Sequence, residues 1–532
     1  MNALAGTRQL LRLALRRDRI VVPLWVILLG VLPAITASAY ATLYPDAASR
    51  AALTAATGSN PSIRLLYGPA FDLSTAGGFT AWRFGAFLSL FVALACVFTV
   101  TRHTRQEEDS GRQELLSSTV TGRSAALTAG LLTGGLAALA TGLVATLSLA
   151  GGKLPLAGSV AFGASVTLVG WVACAVAAIT AQLAEYSRTA NGLACATLGV
   201  MFLLRAVGDS SRDIGWLSWL SPLGWSSQVR PYAHERWWVL LLPLATTAVL
   251  GLVAYRLLAR RDVGMGLLPA RLGPAAGAPG LDSPLALAWR LHRGTLFGWL
   301  AGFALAGALF GSMAAGIGDV VGDSAQTREM VQRMGGGSGL VDAFLAVMAG
   351  MFGMIAAMYS VQAALRMRSE EVALRLEPLL ATGTRRLRWA ASHLVFPFLG
   401  SGLLLAVAGT ALGLLHGLRV HDVSVQLPRV LGSTVAQLPA VWVVAGISLL
   451  VFGFLPGASV AAGWGVASAF LLVSLYGPAI RLPQAVLDLS PFTHVPKFPS
   501  AAFTPGPFLW LSGMALVTLF AGLAGFRRRD IG

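Results

Sequence analysis

The chain has 532 residues, of which 55% are hydrophobic and 12% are charged, and its formal net charge at pH 7 is +16. Soluble proteins carry about 25% charged residues, so this composition excludes an ordinary soluble domain. The three cysteines, Cys96, Cys174 and Cys195, each lie inside an apolar run with no second Cys or His at ligand spacing. The sequence therefore predicts neither a disulfide framework nor a metal site.

Apolar stretches of about twenty residues, the length an α-helix needs to cross a bilayer, recur along the chain. Six are predicted in the first half, near 20–40, 81–100, 125–150, 159–184, 189–207 and 237–259. Six more follow near 295–317, 340–365, 389–415, 430–454, 457–475 and 508–526. The predicted fold is an all-α integral membrane protein with about 12 transmembrane helices.

Lysines and arginines lie mostly at the ends of these apolar runs, not in a patch with interleaved aromatic residues. Placing the N-terminus in the cytoplasm puts most of them on the cytoplasmic side, as the positive-inside rule requires. Both termini are then cytoplasmic, and the protein is expected in the cell membrane. The basic charge is expected to meet membrane lipids and not nucleic acid.

Residues 263–282 are rich in Gly, Pro and Ala and have no helical period. Because they lie close to the middle of the chain, we predict that they form a cytoplasmic linker. The linker separates a first six-helix half, residues 1–262, from a second, residues 283–532.

The two halves share a charged motif in the loop after the second span of each half. Its pattern is R-x-E-E-x3-R-x-E-x-L-x2-T-x-T-x-R, and it repeats without a gap. The first copy consists of Arg105, Glu107, Glu108, Arg112, Glu114, Leu116, Thr119, Thr121 and Arg123, and the second of Arg368, Glu370, Glu371, Arg375, Glu377, Leu379, Thr382, Thr384 and Arg386. Such a match indicates an internal duplication. Since each half has an even number of spans, two parallel repeats are predicted.

Shorter matches occur at the ends of each half. Residues 11–19 and 285–293 mix leucines with arginines before the first span of their half, which predicts amphipathic helices on the inner leaflet. Charge that merely orients the following span would give the same pattern. After the last span, Arg-Arg-Asp recurs at 260–262 and 528–530.

The charged motif allows two interpretations. In the first, it is a solvated helix in which a glutamate pairs with the arginine four residues later, worth about 0.2 to 0.5 kcal/mol. These pairs are Glu108–Arg112 and Glu371–Arg375. In the second, it is a helix that docks on a cytoplasmic partner, with leucines supplying buried area and charges supplying orientation. The leucines are Leu115, Leu116, Leu379 and Leu380. Docking is favoured because the motif recurs in the same place in both halves, as a twofold partner requires.

Neither ATP binding nor catalysis is predicted for this chain. A phosphate-binding loop ends in Gly-Lys-Ser/Thr, but Lys153 is followed by leucine and Lys497 is preceded by proline. The sequence contains no His-Glu-x-x-His or Gly-x-Ser-x-Gly pattern. If ATP drives the protein, a separate ATPase chain must bind the ATP and Mg²⁺.

The chain resembles the permease subunits of ABC type-2 exporters, in the long twelve-span actinobacterial form described as exporters of polyketide antibiotics. The resemblance covers the whole length and is carried by RQEEDSGRQELL at 105–116, AQLAEYSRTANG at 181–192, FLLRAVGD at 202–209 and LSPLGW at 220–225. It implies export of hydrophobic or amphipathic compounds, with ATP hydrolysed by two copies of a separate ATPase subunit.

The resemblance also implies that the loops after the second and eighth spans are coupling helices that contact the ATPase. The contacts carried over are Arg105, Glu107, Glu108, Arg112 and Glu114, with Arg368, Glu370, Glu371, Arg375 and Glu377. The second copy has Val372 for Asp109, Leu374 for Gly111 and Pro378 for Leu115. We therefore expect its docking to be weaker or differently angled.

Two other functions remain open. A secondary drug transporter driven by an ion gradient would need no ATPase, but such transporters usually bury carboxylates in mid-membrane and the acids here cluster in loops. A membrane assembly factor would bind a cytoplasmic partner without moving a substrate. No substrate-binding residue is predicted.

Overall fold

The computed structural model describes residues 3–59, 61–117, 120–210, 213–262, 264–268, 273, 275–320, 336–477, 482–498 and 504–530. Every regular element in these ranges is helical. Eleven of the described helices are long and apolar enough to cross a membrane, and one shorter apolar helix accompanies them. The prediction of an all-α, multi-span membrane protein is confirmed.

The chain divides into two compact units, Met1–Gly273 and Pro274–Gly532. The division falls inside residues 263–282, the segment assigned to a linker. At the start of that segment, the amides of Leu267 and Leu268 donate to the carbonyls of Gln182 and Leu183, at 3.0 and 2.9 Å. The segment therefore begins as part of the first unit.

The first unit contains α1 (Thr7–Arg17), α2 (Val21–Leu43), α3 (Ala47–Ser59), α4 (Pro61–Tyr67), α5 (Ala76–Arg102), α6 (Arg105–Asp109), α7 (Arg112–Ser117), α8 (Ala125–Gly151), α9 (Leu156–Leu183), α10 (Ser187–Ser210), α11 (Pro222–Gln228) and α12 (Leu241–Ala259). The six predicted spans are α2, α5, α8, α9, α10 and α12. The helix predicted before the first span is α1.

The second unit contains α13 (Pro284–Val320), α14 (Gly336–Ala364), α15 (Arg366–Val372), α16 (Leu376–Ala381), α17 (Arg386–Val395), α18 (Ser401–Arg419), α19 (Val423–Val435), α20 (Leu438–Phe454), α21 (Ser459–Tyr476), α22 (Gln484–Leu487) and α23 (Pro505–Arg528). Its spans are α13, α14, α17 with α18, α19 with α20, α21 and α23. The shortest is α21, whose 18 residues lie near the lower end of the roughly 17 to 25 that span a bilayer.

The separate helix predicted at 285–293 is wrong, because these residues are the first turns of α13, which continues for 37 residues. In the first unit, α1 ends before Asp18, whose buried carboxylate lies 2.8 Å from Arg102 Nη1 and 2.6 Å from His103 Nε2 at the end of α5. The matching residue of the second unit is His292, which stacks on Phe396 at 4.2 Å. At this place, the second unit therefore has a stacking contact of His292 with Phe396 instead of the ion pairs of Asp18, and its helix continues without a break.

Glycines bring the spans of each unit close together. A Cβ added at Gly142 of α8 would lie 2.4 Å from the carbonyl oxygen of Gly163 in α9, and one added at Gly163 would lie 2.3 Å from that of Gly142. In the second unit, a Cβ at Gly311 of α13 would lie 2.4 Å from the carbonyl oxygen of Leu412 in α18. Such close backbone contacts are a main source of helix packing in membranes.

One contact recurs in both units at places that the sequence comparison did not align. Trp171 Nε1 of α9 donates to the carbonyl of Gly135 in α8 at 3.0 Å. Trp442 Nε1 of α20 donates to the carbonyl of Phe398, in the π-helical turn Phe396–Gly400 between α17 and α18, at 3.1 Å. In each unit, a tryptophan of the fourth span therefore ties that span to the third.

Candidate functional site: the duplicated charged loops

In each unit, the charged motif folds into two short helices after the second span. Its two copies, residues 105–123 and 368–386, are called the first and second charged loops. The short helices are α6 and α7 in the first unit and α15 and α16 in the second. Gly111, between α6 and α7, has φ +71°, and Leu374, between α15 and α16, has φ +54°. This left-handed conformation ends helices readily at glycine but costs about 1 to 2 kcal/mol for other residues. Leu374 therefore adopts the same left-handed turn as Gly111, its counterpart in the first unit, with a strained backbone.

The second glutamate of the motif pairs with an arginine that follows the last span. In the first unit, Arg261 Nη2 lies 2.5 Å from Glu108 Oε1, and Arg261 Nη1 donates to Glu108 Oε2 at 2.8 Å. The side chains are 4% and 11% exposed respectively. A two-point bond between charged groups fixes orientation as well as distance.

The second unit repeats this pair. Arg529 Nη1 and Nη2 donate to the two carboxylate oxygens of Glu371, at 2.7 and 2.8 Å. Arg261 and Arg529 are matching residues of the repeated Arg-Arg-Asp. Neither was among the predicted site residues, although the repeat itself was the signal that could have identified them.

The last arginine of the motif completes the arrangement. Arg123 Nη2 donates to the carbonyl of Arg261 at 2.7 Å. Its counterpart, Arg386 Nη1, donates to the carbonyl of Arg529 at 2.8 Å. Arg261 and Arg529, each just after the last span of its unit, are therefore bound by residues at both ends of the charged loop.

The predicted ion pairs between residues four apart are wrong. Arg112 Nε lies 3.5 Å from Glu107 Oε2, and Arg375 Nη1 lies 3.3 Å from Glu370 Oε1, five residues apart in each case. The reason is the left-handed turn, which interrupts the helix on which the spacing rule depends. Glu108 and Glu371 therefore pair with the arginines that follow the last span.

The first glutamate of each motif also pairs with an arginine, which comes from α1 in the first unit and from the first residue of α15 in the second. Glu107 pairs with Arg17 at the end of α1, and Glu370 lies 2.8 Å from Arg366 Nη2 in α15. In the first unit, the loop is thereby joined to α1 as well.

The first arginine of the motif differs between the units. Arg105 is fully buried and donates to the carbonyls of Glu185, Gly264 and Met265, at 2.7, 3.0 and 3.2 Å. Its Nη1 also lies 2.5 Å from Glu108 Oε2. Arg368 is partly exposed and lies 3.3 Å from Glu371. The first loop is therefore tied more extensively to the rest of its unit.

The remaining predicted contact residues divide between surface and interior. Those on the surface are Arg112, Glu114, Leu115, Arg375 and Glu377. Leu379 and Leu380 instead pack against a buried cluster that includes Met367, Leu376 and Trp389. The side chain of Leu116 lies outside the described residues.

Two exposed apolar residues of the second loop were not predicted. Val372 and Leu374 are 63% and 64% exposed, and Leu115 of the first loop is 73% exposed. Each loop thus presents apolar surface beside a charged pair. Val372 and Leu374 stand where the first copy has Asp109 and Gly111, the differences from which a weaker or differently angled docking is expected.

In the described ranges, no group of three or more His, Cys, Asp or Glu side chains is placed to hold a metal ion. The buried charges of the loops are matched by opposite charges in good geometry, which is typical of a structural network.

The fold and the duplicated loops define a multi-pass membrane protein with an internal repeat. The chain is 46% identical over 531 residues to the multidrug efflux system permease protein Rv1217c of Mycobacterium tuberculosis (strain ATCC 25618 / H37Rv), and the alignment covers 100% of this chain and 96% of the relative. Residues 281–527 match the family described as multidrug efflux system permease Rv1217c, C-terminal domain. The chain therefore belongs to the multidrug efflux system permeases, which confirms the predicted resemblance to exporter permeases.

Proposed function

We propose that this chain is the membrane subunit of an ATP-driven exporter and that a separate ATPase subunit binds its two charged loops. The observation that carries the proposal is the repeated geometry of the loops. Two short helices with the same glutamate–arginine pair stand after the second span of each unit. Two equivalent surfaces suit a partner that is itself present in two copies.

The exposed residues of the loops are the proposed contacts. In the first loop these are Arg112, Glu114 and Leu115, and in the second Val372, Leu374, Arg375 and Glu377. Apolar side chains supply buried area at an interface, and the charges beside them select the partner and its orientation. The buried glutamates hold these surfaces in place and do not touch the partner.

The exported compounds are proposed to be hydrophobic or amphipathic drugs that enter from the cytoplasm or the inner leaflet. The relative is named a multidrug efflux system permease. ATP and Mg²⁺ are bound by the partner, and closure of the two ATPase copies moves both loops. That movement shifts the permease from an inward-facing to an outward-facing state.

The test is copurification of the tagged permease with a candidate ABC ATPase subunit expressed together with it. The variants are Leu115→Asp and Leu374→Asp, singly and together. We expect the double variant to retain much less ATPase, because a charge replaces apolar contact area on each surface. Leu268→Asp is the matched control, since Leu268 is 59% exposed but lies outside both loops. Equal recovery of the ATPase with all variants would contradict the proposed surfaces.

A second candidate function, ion-driven transport, would require an ionisable residue within a span, and one buried ion pair meets that description. Asp209 is buried in α10, and its Oδ2 lies 3.7 Å from Nη1 of the buried Arg205. Ionisable residues inside a span are often part of an ion pathway. However, Arg205 also donates to the carbonyls of Leu65 and Leu66, at 3.1 and 2.9 Å. The pair thereby anchors the segment that precedes α5, which favours a structural role.

A further inference from the structure

We propose that the Glu108–Arg261 and Glu371–Arg529 pairs are the links that carry movement of each charged loop to the last span of the same unit. This inference rests on the proposed function, because the ATPase is the source of the movement. It assigns Arg261 and Arg529 as positioning residues for transport.

Both ends of each charged loop bind the same arginine. Glu108 binds the guanidinium of Arg261, and Arg123 binds its carbonyl oxygen. Glu371 and Arg386 hold Arg529 in the same way. Because the arginine backbone and side chain are both fixed to the loop, the loop and the end of the last span move as one body.

Each of these arginines also contacts the end of the fourth span. Arg261 Nε donates to Gln182 Oε1, in the last turn of α9, at 2.6 Å. The guanidinium carbon of Arg529 lies 4.7 Å from the ring centre of Phe452, near the end of α20. The chemistry differs, but the fourth and sixth spans are joined to the loop in both units.

The charges of each pair are also largely buried. The side chains of Glu108 and Arg261 are 11% and 4% exposed, and those of Glu371 and Arg529 are 5% and 14% exposed. An ion pair that served only the solvated surface would contribute little stability. Nothing would then require the pair to be buried at the matching position of both units. Transmission inside the unit explains both the burial and the repetition.

The chain offers a matched control for each arginine. Arg260 and Arg528 immediately precede Arg261 and Arg529 in the repeated Arg-Arg-Asp, and both are exposed. Substitution by lysine keeps the positive charge at every position. At Arg261 and Arg529, however, lysine cannot form the two-point bond with a carboxylate.

The experiment uses the full complex of permease and ATPase, reconstituted in lipid, with Arg261→Lys/Arg529→Lys compared with Arg260→Lys/Arg528→Lys. Three quantities are measured: ATPase bound per permease, ATP hydrolysed, and drug transported per ATP hydrolysed. We expect the first pair to bind the ATPase normally but to transport severalfold less drug per ATP, because lysine loses the two-point bond that joins the loop to the last span. The control pair should match the wild type in all three.

Transport per ATP at the wild-type level in Arg261→Lys/Arg529→Lys would overturn the link while leaving the proposed function intact. A wild-type chain that neither binds nor needs an ATPase would overturn both. If the double variant does not fold, Glu108→Gln/Glu371→Gln is measured instead, since it keeps the side-chain shapes and removes the charge from both pairs. Normal coupling in that variant overturns the inference, and a loss of coupling with normal ATPase binding supports it.

Discussion

The carboxylate of Glu371 accepts two hydrogen bonds from the guanidinium of Arg529, across 158 positions of the chain. The side chains are 5% and 14% exposed, so water solvates neither charge well. Glu108 and Arg261 form the same pair in the first unit. The second glutamate of each copy of the motif therefore pairs with an arginine of its own unit and does not face a partner.

Removing one member of this pair should destabilise the second unit strongly. Glu371→Ala leaves the guanidinium of Arg529 buried without its counter-charge, which costs about 3 to 5 kcal/mol. Glu377→Ala is the control, because Glu377 is exposed and substitutions at such surface positions usually change stability by less than about 0.5 kcal/mol. Thermal unfolding of the detergent-solubilised chain compares the two. Equal melting temperatures would show that the pair does not support the fold.

Leu374→Gly should separate docking from stability. Glycine adopts φ +54° without the steric cost that leucine bears, so the variant should be at least as stable as the wild type. It should nevertheless bind the ATPase more weakly, because it removes an exposed apolar side chain. The reverse substitution at the matching turn, Gly111→Leu, should lower stability by about 1 to 2 kcal/mol. ATPase binding that is unchanged in Leu374→Gly would argue against a contact at this residue.

Gly158→Ala should disturb the loop that carries Tyr232. A Cβ at Gly158, near the start of α9, would lie 2.1 Å from Cδ1 of the Tyr232 ring, which cannot move without losing its 2.9 Å hydrogen bond with Ser159. We expect a loss of stability of about 1 to 3 kcal/mol, as for other overpacked sites. Gly192→Ala has open space around the added carbon and should be neutral or slightly stabilising. Unfolding midpoints of the two variants test the difference, and a stable Gly158→Ala chain would contradict it.

Asp72 should make the segment before α5 sensitive to acid. Burial raises the pKa of Asp72, but hydrogen bonds from the Ser74 side chain and amide and from the Thr75 hydroxyl outweigh it, so the pKa lies below its ordinary value of 3.8. A carboxyl whose pKa is lowered on folding stabilises the fold above its unfolded pKa, and that stability is lost as the pH falls through the folded pKa. The stability of Asp72→Asn should therefore depend less on pH below about 4 than that of the wild type. Identical acid unfolding curves would show that Asp72 contributes nothing.

The spans could be predicted because hydropathy alone identifies helices that are long and apolar enough to cross a lipid bilayer. The duplicated motif was also visible, since it repeats without a gap. Its pairing was not predictable from local spacing, because the partners of Glu108 and Glu371 lie 153 and 158 residues away. The continuous α13 was missed although the sequence held a local signal for the difference. Asp18, which follows α1, is held by the end of α5, and Pro23, in the first turn of α2, lacks the amide hydrogen that an unbroken helix would use. The matching residue of the second half is Phe297, which allows the helix to continue.

Leu379 and Leu380 illustrate the remaining difficulty. Their sequence position beside Glu377 suggested an exposed apolar edge, but both pack inward toward Trp389. The short helix α16 has too few turns for a periodic pattern to show which face is buried. The exposed apolar surface lies instead at Val372 and Leu374, at and just after the end of α15.

The most direct test of ATP-driven export is drug transport by this chain in proteoliposomes, with and without the ATPase subunit and ATP, and with ion gradients abolished by ionophores. We expect transport that requires both the ATPase and ATP and that continues when the gradients are abolished. Transport by the permease alone that stops when a proton gradient is abolished would contradict it and identify an ion-driven transporter.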